Sequence, residues 1–584
     1  MPQSKIELKK WRFTLDQNEY GESAGWTLPE YDDSRWIEVD SYTSWETYEY
    51  AMRDYEGCAW FRTHFNYTGI PFGILRFDGI GGCAKVFVNG KYVGGTTNRY
   101  VPFELNVRQF VKPGDNVLAV LVDNSCLGDQ HLTGCRTTEW VLYGGLTHRV
   151  YFEEQPSVYI PHVRIDAQHD GTAEVTVTVE NRMSRPDLLD FAGSLEVSID
   201  GFEAAKQVQI IECPKASSMQ LVFSFKLDNI IPWSPDTPVL YHLNAVLLKD
   251  GAEHYRVAER FGFRTICVEG TKFLLNGEEI LLKGVNRYDE YEPYGICPPE
   301  EVIREEFAKI KECGFNLIRT HYPQDPIHYR LADEMGLMYM IEVPVNWWKP
   351  RENETFADYY TLAAEAVETL DKTFHHFCNH PCWTIWSTGN ECYHSHPACQ
   401  EMFRMLASRM RSLNPGRLIT YASNQPLLDE HELDFCDFLS MNYYSGSLAE
   451  NADQFPEQLT AVLEKKLGLA QKLYPNVPHV MTEFGYVCVR GIHGSLSEGR
   501  YAEDFGVTYL TADCAEFLKD PQMKGLMLWS WADYRHRRGF VPGKFSMGFQ
   551  ATYGPYGLVT IDRKPKEMLL ETMSKIMKDW KLDK

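Results

Sequence analysis

Several things are scarce in this 584-residue chain. No run of about 18 apolar residues occurs, which argues against a membrane-spanning helix. The first residues, MPQSKIELKKW, lack the apolar stretch of a secretory leader. The 15 cysteines are odd in number and scattered without CxxC pairs, a pattern of reduced thiols in a cytoplasm rather than of a disulfide framework. Positive charge is outweighed, with 58 Lys and Arg against 81 Asp and Glu and a net charge of −23. The acidic residues are spread along the chain, so nucleic acid and anionic membranes are poor partners. Repeats and low-complexity tracts are absent. The cluster HHFCNHPC, from His375 to Cys382, matches no metal-ligand spacing, and no metal site is read from it.

Apolar and aromatic residues are plentiful. Hydrophobic residues make up 44% and aromatic ones 13%, enough for large cores, and at this length for three or four domains. Residues 1–155 read as all-β. Short apolar or alternating runs recur at Trp60–Phe65, Gly73–Phe77, Ala84–Val88 and Val117–Val122, and Asn89-Gly90 is a two-residue hairpin signal. This predicts a jelly-roll β-sandwich. Residues 156–265 continue with Thr172–Val179, Gln220–Phe225 and His242–Leu248, which suits an immunoglobulin-like β-sandwich.

From residue 266 to 584 the pattern changes to apolar strands alternating with amphipathic helices. Strands are read at Ile280–Val285, Leu317–Thr320, Leu337–Val343, Trp383–Trp386, Leu418–Ala422, Phe438–Met441, His479–Thr482 and Gly525–Trp531. Helices include Pro299–Cys313, Pro326–Met335, Thr361–Phe377, Pro397–Leu413, Gln454–Leu473, Tyr501–Leu518 and Lys566–Trp580. Eight such units make a (β/α)8 TIM barrel. A doubly wound open sheet is the alternative, but it usually carries a Gly-rich phosphate loop and none is found.

In a barrel of this kind catalytic residues stand at the C-terminal strand ends. Glu391 closes strand four after the run NHPCWTIWSTGNE, and Glu483 closes strand seven in HVMTEFG. Two carboxyl groups at one barrel mouth are the minimum apparatus for glycoside hydrolysis: one protonates the leaving group while the other attacks or activates water.

NHPCWTIWSTGNE resembles the acid/base signature of glycoside hydrolase family 2, the family of β-galactosidases and β-glucuronidases. WTLPEYDDSRWIEV, GCAWFRTHF, VFVNGKYVGG and VLYGGLTHRV resemble that family's jelly roll, and WSPDTPVLY and FGFRT its immunoglobulin-like domain. KGVNRYDEY, NLIRTHYP, MTEFG and LWSWADY resemble its barrel strands one, two, seven and eight. The resemblance implies that Glu391 is the general acid/base and Glu483 the nucleophile of a retaining double displacement, their carboxyl groups about 5–5.5 Å apart. It places Asn390 on the sugar 2-hydroxyl, Arg319 beside the nucleophile, Tyr444 in hydrogen bond to it, and Trp529 with a ring face toward the sugar. Glu139 falls where the family's jelly roll sends an acidic residue to the pocket, where it can bind sugar hydroxyls.

Departures from the family pattern concern the sugar. Tyr288 stands where a histidine usually contacts it, and the strand-two motif RTHYP is one residue shorter than the usual RTSHYP, which leaves the alignment of His321 open. The Asn-x-Lys that grips the acid group in β-glucuronidases is missing between Trp529 and Lys566. Arg535, Arg537, Arg538 and Lys544 lie in that loop, and arginine can hold a carboxylate through two parallel hydrogen bonds. The expectation is a cytoplasmic exo-β-glycosidase with a small carbohydrate or glycoside substrate, β-galactoside before β-galacturonide or β-glucuronide. No organic cofactor is implied, no module is expected after the final barrel helix, and a homo-oligomer is compatible with the two sandwich surfaces. A non-catalytic carbohydrate-binding scaffold is the alternative of another class; the presence of both carboxylates argues against it.

Overall fold

The computed structural model describes residues 4–70, 72–125, 131–132, 138–182, 190–414, 416–444, 457–494, 501–537 and 553–582. Contacts divide the chain into two compact units. One holds Met1–Ser125, Tyr143–Arg264 and Lys372–Pro381; the other holds Cys126–Leu142, Thr265–Asp371 and Cys382–Lys584.

The first unit contains two antiparallel β-sandwiches. In the N-terminal one, a six-stranded sheet has Cys58–Tyr67 and Gly114–Asp123 at its centre, and a four-stranded sheet has Val150–Gln155 and Phe72–Phe77 inside it. Alternating residues such as Phe61, Phe65, Leu75, Phe77, Val86, Val120 and Phe152 fill one shared core, as period-2 strands covered on one face require. Asn89 and Gly90, at φ 51° and 81°, join strands paired at Val88 and Lys91; both conformations are left-handed, which is why Asn-Gly marks this turn. The second sandwich pairs a three-stranded sheet centred on Thr172–Asn181 with a four-stranded one centred on Phe191–Ile199 and Tyr241–Lys249. Val175, Val177, Leu195, Val197, Leu243 and Ala245 close its core.

The second unit is a closed eight-stranded parallel barrel. Its strands are β1 (Leu282–Asn286), β2 (Leu317–Thr320), β3 (Met338–Glu342), β4 (Trp383–Asn390), β5 (Leu418–Ser423), β6 (Leu439–Asn442), β7 (His479–Phe484) and β8 (Met523–Leu528). The helices are α1 (Glu300–Glu312), α2 (Pro326–Met335), α3 (Tyr360–Phe377), α4 (Pro397–Leu413), α5 (Glu457–Leu473), α6 (Glu503–Phe517) and α7 (Glu567–Asp579). The residues from 451 to 456, where the sequence places the start of α5, lie outside the described residues.

Local chemistry sets these bounds. Asp325 caps α2 by accepting from the Ile327 N–H at 2.9 Å, Pro326 occupies the first turn, and Gly336 ends the helix at φ 71°, the usual start and stop residues. Every residue of β4 is buried, as strands packed on both faces must be. Gly389 is required by close approach: a Cβ there would lie 2.7 Å from the Val345 carbonyl oxygen. That contact lets the turn after β3 close onto the end of β4. No helix among the described residues is long and apolar enough to cross a membrane.

Candidate active site

The floor of the barrel mouth is organised by one guanidinium. Arg319, in β2, is fully buried. Its Nη1 donates to Glu483 Oε1 at 2.6 Å and to Asn286 Oδ1 at 2.9 Å; its Nη2 donates to Glu342 Oε2 at 2.8 Å and to Asn390 Oδ1 at 2.9 Å. The strand ends of β1, β3, β4 and β7 are thus tied to a single side chain on β2. Burial alone would weaken its proton affinity, but Glu342 and Glu483 more than reverse that and hold it charged.

Glu483, next to last in β7, is gripped at both oxygens, by Arg319 at Oε1 and by the Tyr444 hydroxyl at Oε2, 2.7 Å away. Glu391 follows directly after β4, one residue beyond the strand's end, with φ 51°. Its Oε1 accepts from Asn442 Nδ2 at 2.9 Å, and its Oε2 accepts from Trp347 Nε1 at 2.9 Å and Asn424 Nδ2 at 2.8 Å. Burial, and then the charge of Glu483, push its carboxyl up to about 7, against the opposing pull of Asn442 and Trp347. The two carboxyl groups are therefore held in unlike surroundings: one faces a guanidinium and a phenol, the other only neutral donors.

Asn390 is locked in the same network, accepting from Arg319 and Asn442 and donating to Asn346 Oδ1 at 2.8 Å. His321, just past β2, donates through Nδ1 to Glu342 Oε1, 2.7 Å away, and its Nε2 lies 3.9 Å from Glu483 Oε1. Its ring stacks on Trp140 at 5.5 Å and lies 5.0 Å from Trp529.

One wall of the site is aromatic. Tyr288 packs against Trp140, Trp529 and Tyr534 at 5.5, 5.5 and 4.8 Å. Trp529 Nε1 donates to the Tyr534 hydroxyl at 3.0 Å; Tyr534 and Tyr288 in turn donate to Glu139 Oε1 at 3.1 and 3.2 Å. Burial, with the charges of Glu483 and Glu391 behind it, drives the Glu139 carboxyl up to about 8 although both tyrosines favour its charged form. The shift favours the uncharged form of Glu139 around neutral pH.

The structure thus brings together all nine residues singled out in the sequence: Glu391, Glu483, Asn390, Arg319, His321, Tyr444, Trp529, Tyr288 and Glu139. Of the basic loop, Arg535 is buried with its backbone N–H on Glu290 Oε2 at 2.8 Å, and the Arg537 N–H donates to the Glu139 carbonyl at 2.7 Å. Arg538 and Lys544 lie outside the described residues.

Five further residues belong to the constellation: Glu342, Trp347, Asn424, Asn442 and Tyr534. Glu342 had a legible signal, because it ends the apolar run MYMIE of β3 just as Glu391 and Glu483 end theirs. It accepts from Arg319, His321 and Ser387 Oγ, the last at 2.8 Å. Burial would raise its carboxyl, but Arg319 and His321 outweigh that and hold it at about 2.

Family models match along most of the chain. The TIM barrel domain of glycosyl hydrolases family 2 matches residues 266–579, a second family 2 domain residues 158–264, and the second all-β domain of β-galactosidase residues 20–127. The chain belongs to glycoside hydrolase family 2. It is 26% identical to a β-galactosidase of Thermoanaerobacter pseudethanolicus, over 88% of this chain and 64% of that relative's length. It is 27% identical to a β-glucuronidase of Paenibacillus borealis over 95% and 94% of the two chains. A crystal structure of a β-galacturonidase from Eisenbergiella tayi bound to galacturonate shares the fold at a TM-score of 0.84, with 22% identity over 99% and 98% of the chains.

Proposed function

We propose that this protein is a retaining exo-β-glycosidase acting on a neutral terminal sugar, with β-galactoside as its first substrate. The observation that carries the reading is the pair Glu391 and Glu483 at the C-terminal ends of β4 and β7 of one barrel, in environments that separate their roles. Glu483, its oxygens held by Arg319 and Tyr444, attacks the anomeric carbon. Glu391 delivers its proton to the glycosidic oxygen as the bond to the leaving group breaks. The product of this step is a glycosyl ester on Glu483, which carries no charge.

The same geometry prepares the second step. The charge on Glu483 is one of the two causes that raise the Glu391 carboxyl. Esterification removes that charge, so the proton affinity of Glu391 falls just as it becomes a carboxylate and must act as base. It takes a proton from water while the water oxygen attacks the anomeric carbon and Glu483 leaves. Asn390, fixed by Arg319, Asn442 and Asn346, is positioned to bond the 2-hydroxyl, a contact that tightens in an oxocarbenium-like transition state.

The preference for a neutral sugar rests on the aromatic wall. Its polar atoms are hydroxyls, an indole N–H, an imidazole and the acid of Glu139. A β-galacturonide or β-glucuronide is the second reading, supported by the raised Glu139 carboxyl, whose uncharged form does not repel a carboxylate, and by the arginines that the sequence carries from Arg535 onward.

A panel of p-nitrophenyl β-glycosides tests the sugar. Hydrolysis of uronides with none of the galactoside removes the first choice. Glu483→Gln tests the class: an enzyme loses nearly all turnover, whereas a binding scaffold keeps its affinity and had no turnover to lose.

A further inference from the structure

Two left-handed residues face each other at the barrel mouth. Glu391 has φ 51°, and so does Trp347, in the turn after β3. For a residue with a bulky side chain this conformation is disfavoured by the clash of Cβ with the backbone, and glycine or asparagine would meet it more easily. Such residues persist where their surroundings over-determine them, commonly at functional sites.

Here the surroundings are plain. Asn346 and Asn390 form a parallel bridge. The Trp347 N–H donates to the Asn390 carbonyl and the Tyr393 N–H to the Trp348 carbonyl, each at 2.9 Å. The Trp348 N–H points to Cys392 Sγ at 3.3 Å. The turns after β3 and β4 are thus laced into one ledge, and it meets the acid through the Trp347 Nε1 to Glu391 Oε2 bond of 2.9 Å.

The ledge is not core packing throughout. Trp348 is buried, edge-on to Tyr359 at 4.7 Å, and serves the core. Trp347 is only half-buried, and Tyr393 is 46% exposed. The place of Trp347 relative to the acid is set by the oxygen it flanks, and Tyr393 lies two residues beyond Glu391 in the same ledge. Glu391 Oε1 is tied to Asn442, which also holds Asn390 on the sugar side; Oε2 meets Trp347 and Asn424. A general acid must face the oxygen of the departing group, so residues on its outer oxygen border that group rather than the ring under attack.

We propose that Trp347 is a further positioning residue, orienting Glu391 through its indole N–H, and that Trp347 and Tyr393 form a leaving-group subsite for aglycones that present a flat ring face, aromatic or sugar. The assignment rests on the retaining-glycosidase reading above. An indole N–H only donates, so it favours the carboxylate form of Glu391 in the second half of the reaction. The ring supplies the apolar face on which an aryl group or the C–H face of a sugar stacks.

The N–H and the ring are tested separately, with thermal unfolding used to confirm that each variant is folded. Trp347→Phe keeps a ring and removes the donor. Glu391 then holds its proton to higher pH, and the basic limb of kcat/KM moves up by about one pH unit. A limb that stays in place removes the positioning role. Tyr393→Ala and Trp347→Ala test the subsite on three glycosides of the same sugar: a phenyl glycoside, a disaccharide, and a fluorinated alkyl glycoside whose alcohol is as acidic as phenol. Relative to the alkyl substrate, kcat/KM for a ring-bearing substrate falls about 3- to 10-fold, and whichever ring responds names the aglycone. Equal losses on all three overturn the subsite. A wild-type protein that hydrolyses no β-glycoside overturns the earlier reading instead, so the two failures are distinct.

Discussion

Glu139→Gln should make the protein more stable at alkaline pH, and only there. The wild-type carboxyl is raised from an ordinary 4.5 to about 8, so between those values the folded state holds a proton that the unfolded state has released. Stability therefore falls as pH rises from about 4.5 to about 8 and levels off above. Each tenfold change in proton affinity is worth about 1.4 kcal/mol, which puts the full effect at about 5 kcal/mol. Glu139 is only half-buried, and solvent relieves part of the burial, leaving about 2–4 kcal/mol. Glutamine has the same shape, keeps an oxygen to accept from Tyr288 and Tyr534, and does not titrate. Carboxyl groups remote from Glu139 titrate equally in both proteins and cancel from the difference, whereas Glu391 and Glu483 feel the Glu139 charge only where it is ionised. Thermal unfolding of wild type and variant, followed by tryptophan fluorescence at pH 5 and pH 8.5, reads it directly. For a unit of this size the variant should gain roughly 3–6 °C at the higher pH and little at the lower. Parallel melting temperatures at both values would refute the claim that Glu139 keeps its proton in the folded state.

Glu391, raised to about 7, should give kcat/KM a basic limb near that pH for substrates with poor leaving groups. A glycoside of a strongly acidic phenol needs less protonation and should show a shallower fall; identical limbs for both would count against Glu391 as the acid. Glu342→Gln removes one charge of a buried ion pair that also anchors His321 and Ser387, and breaking such a pair costs about 3–5 kcal/mol. Denaturation should register that loss, and kcat should fall more than KM rises because Arg319 no longer sits squarely on Glu483. An unchanged unfolding midpoint would show that Glu342 is not an anchor.

Much of the barrel is legible in the sequence because its strands are buried on both faces and its helices carry their own end signals. Pro326–Met335 and Pro397–Leu413 are read to the residue, since proline opens each and Gly336 or Asn414 closes it. Strand four is marked by its apolar run Trp383–Trp386, and Ser387, Thr388 and Gly389 carry it on to Asn390, one residue short of Glu391, which the sequence counts as its end. In the barrel those three are buried strand: the Ser387 hydroxyl donates to Glu342, the Thr388 hydroxyl to the Thr420 carbonyl, and the Ser387 carbonyl accepts from the Val343 N–H. The carboxylates at strand ends announce themselves, and Glu342 could have been counted with Glu391 and Glu483 by the same rule.

Trp347 could not. Its role depends on a side-chain bond across two turns, and the φ of 51° that makes the bond has no sequence mark, since left-handed turns are signalled by glycine or asparagine. The position is informative for that reason. Where the backbone needs a left-handed residue and the chain supplies tryptophan, the backbone is not what selects the residue; the ring and its N–H are. The same reasoning applies to Glu391, whose left-handed φ carries the carboxyl off the end of β4 toward Trp347, Asn424 and Asn442. The left-handed backbone at the two positions and the hydrogen bond between Trp347 and Glu391 are one feature of the site, the one from which the positioning role of Trp347 is proposed.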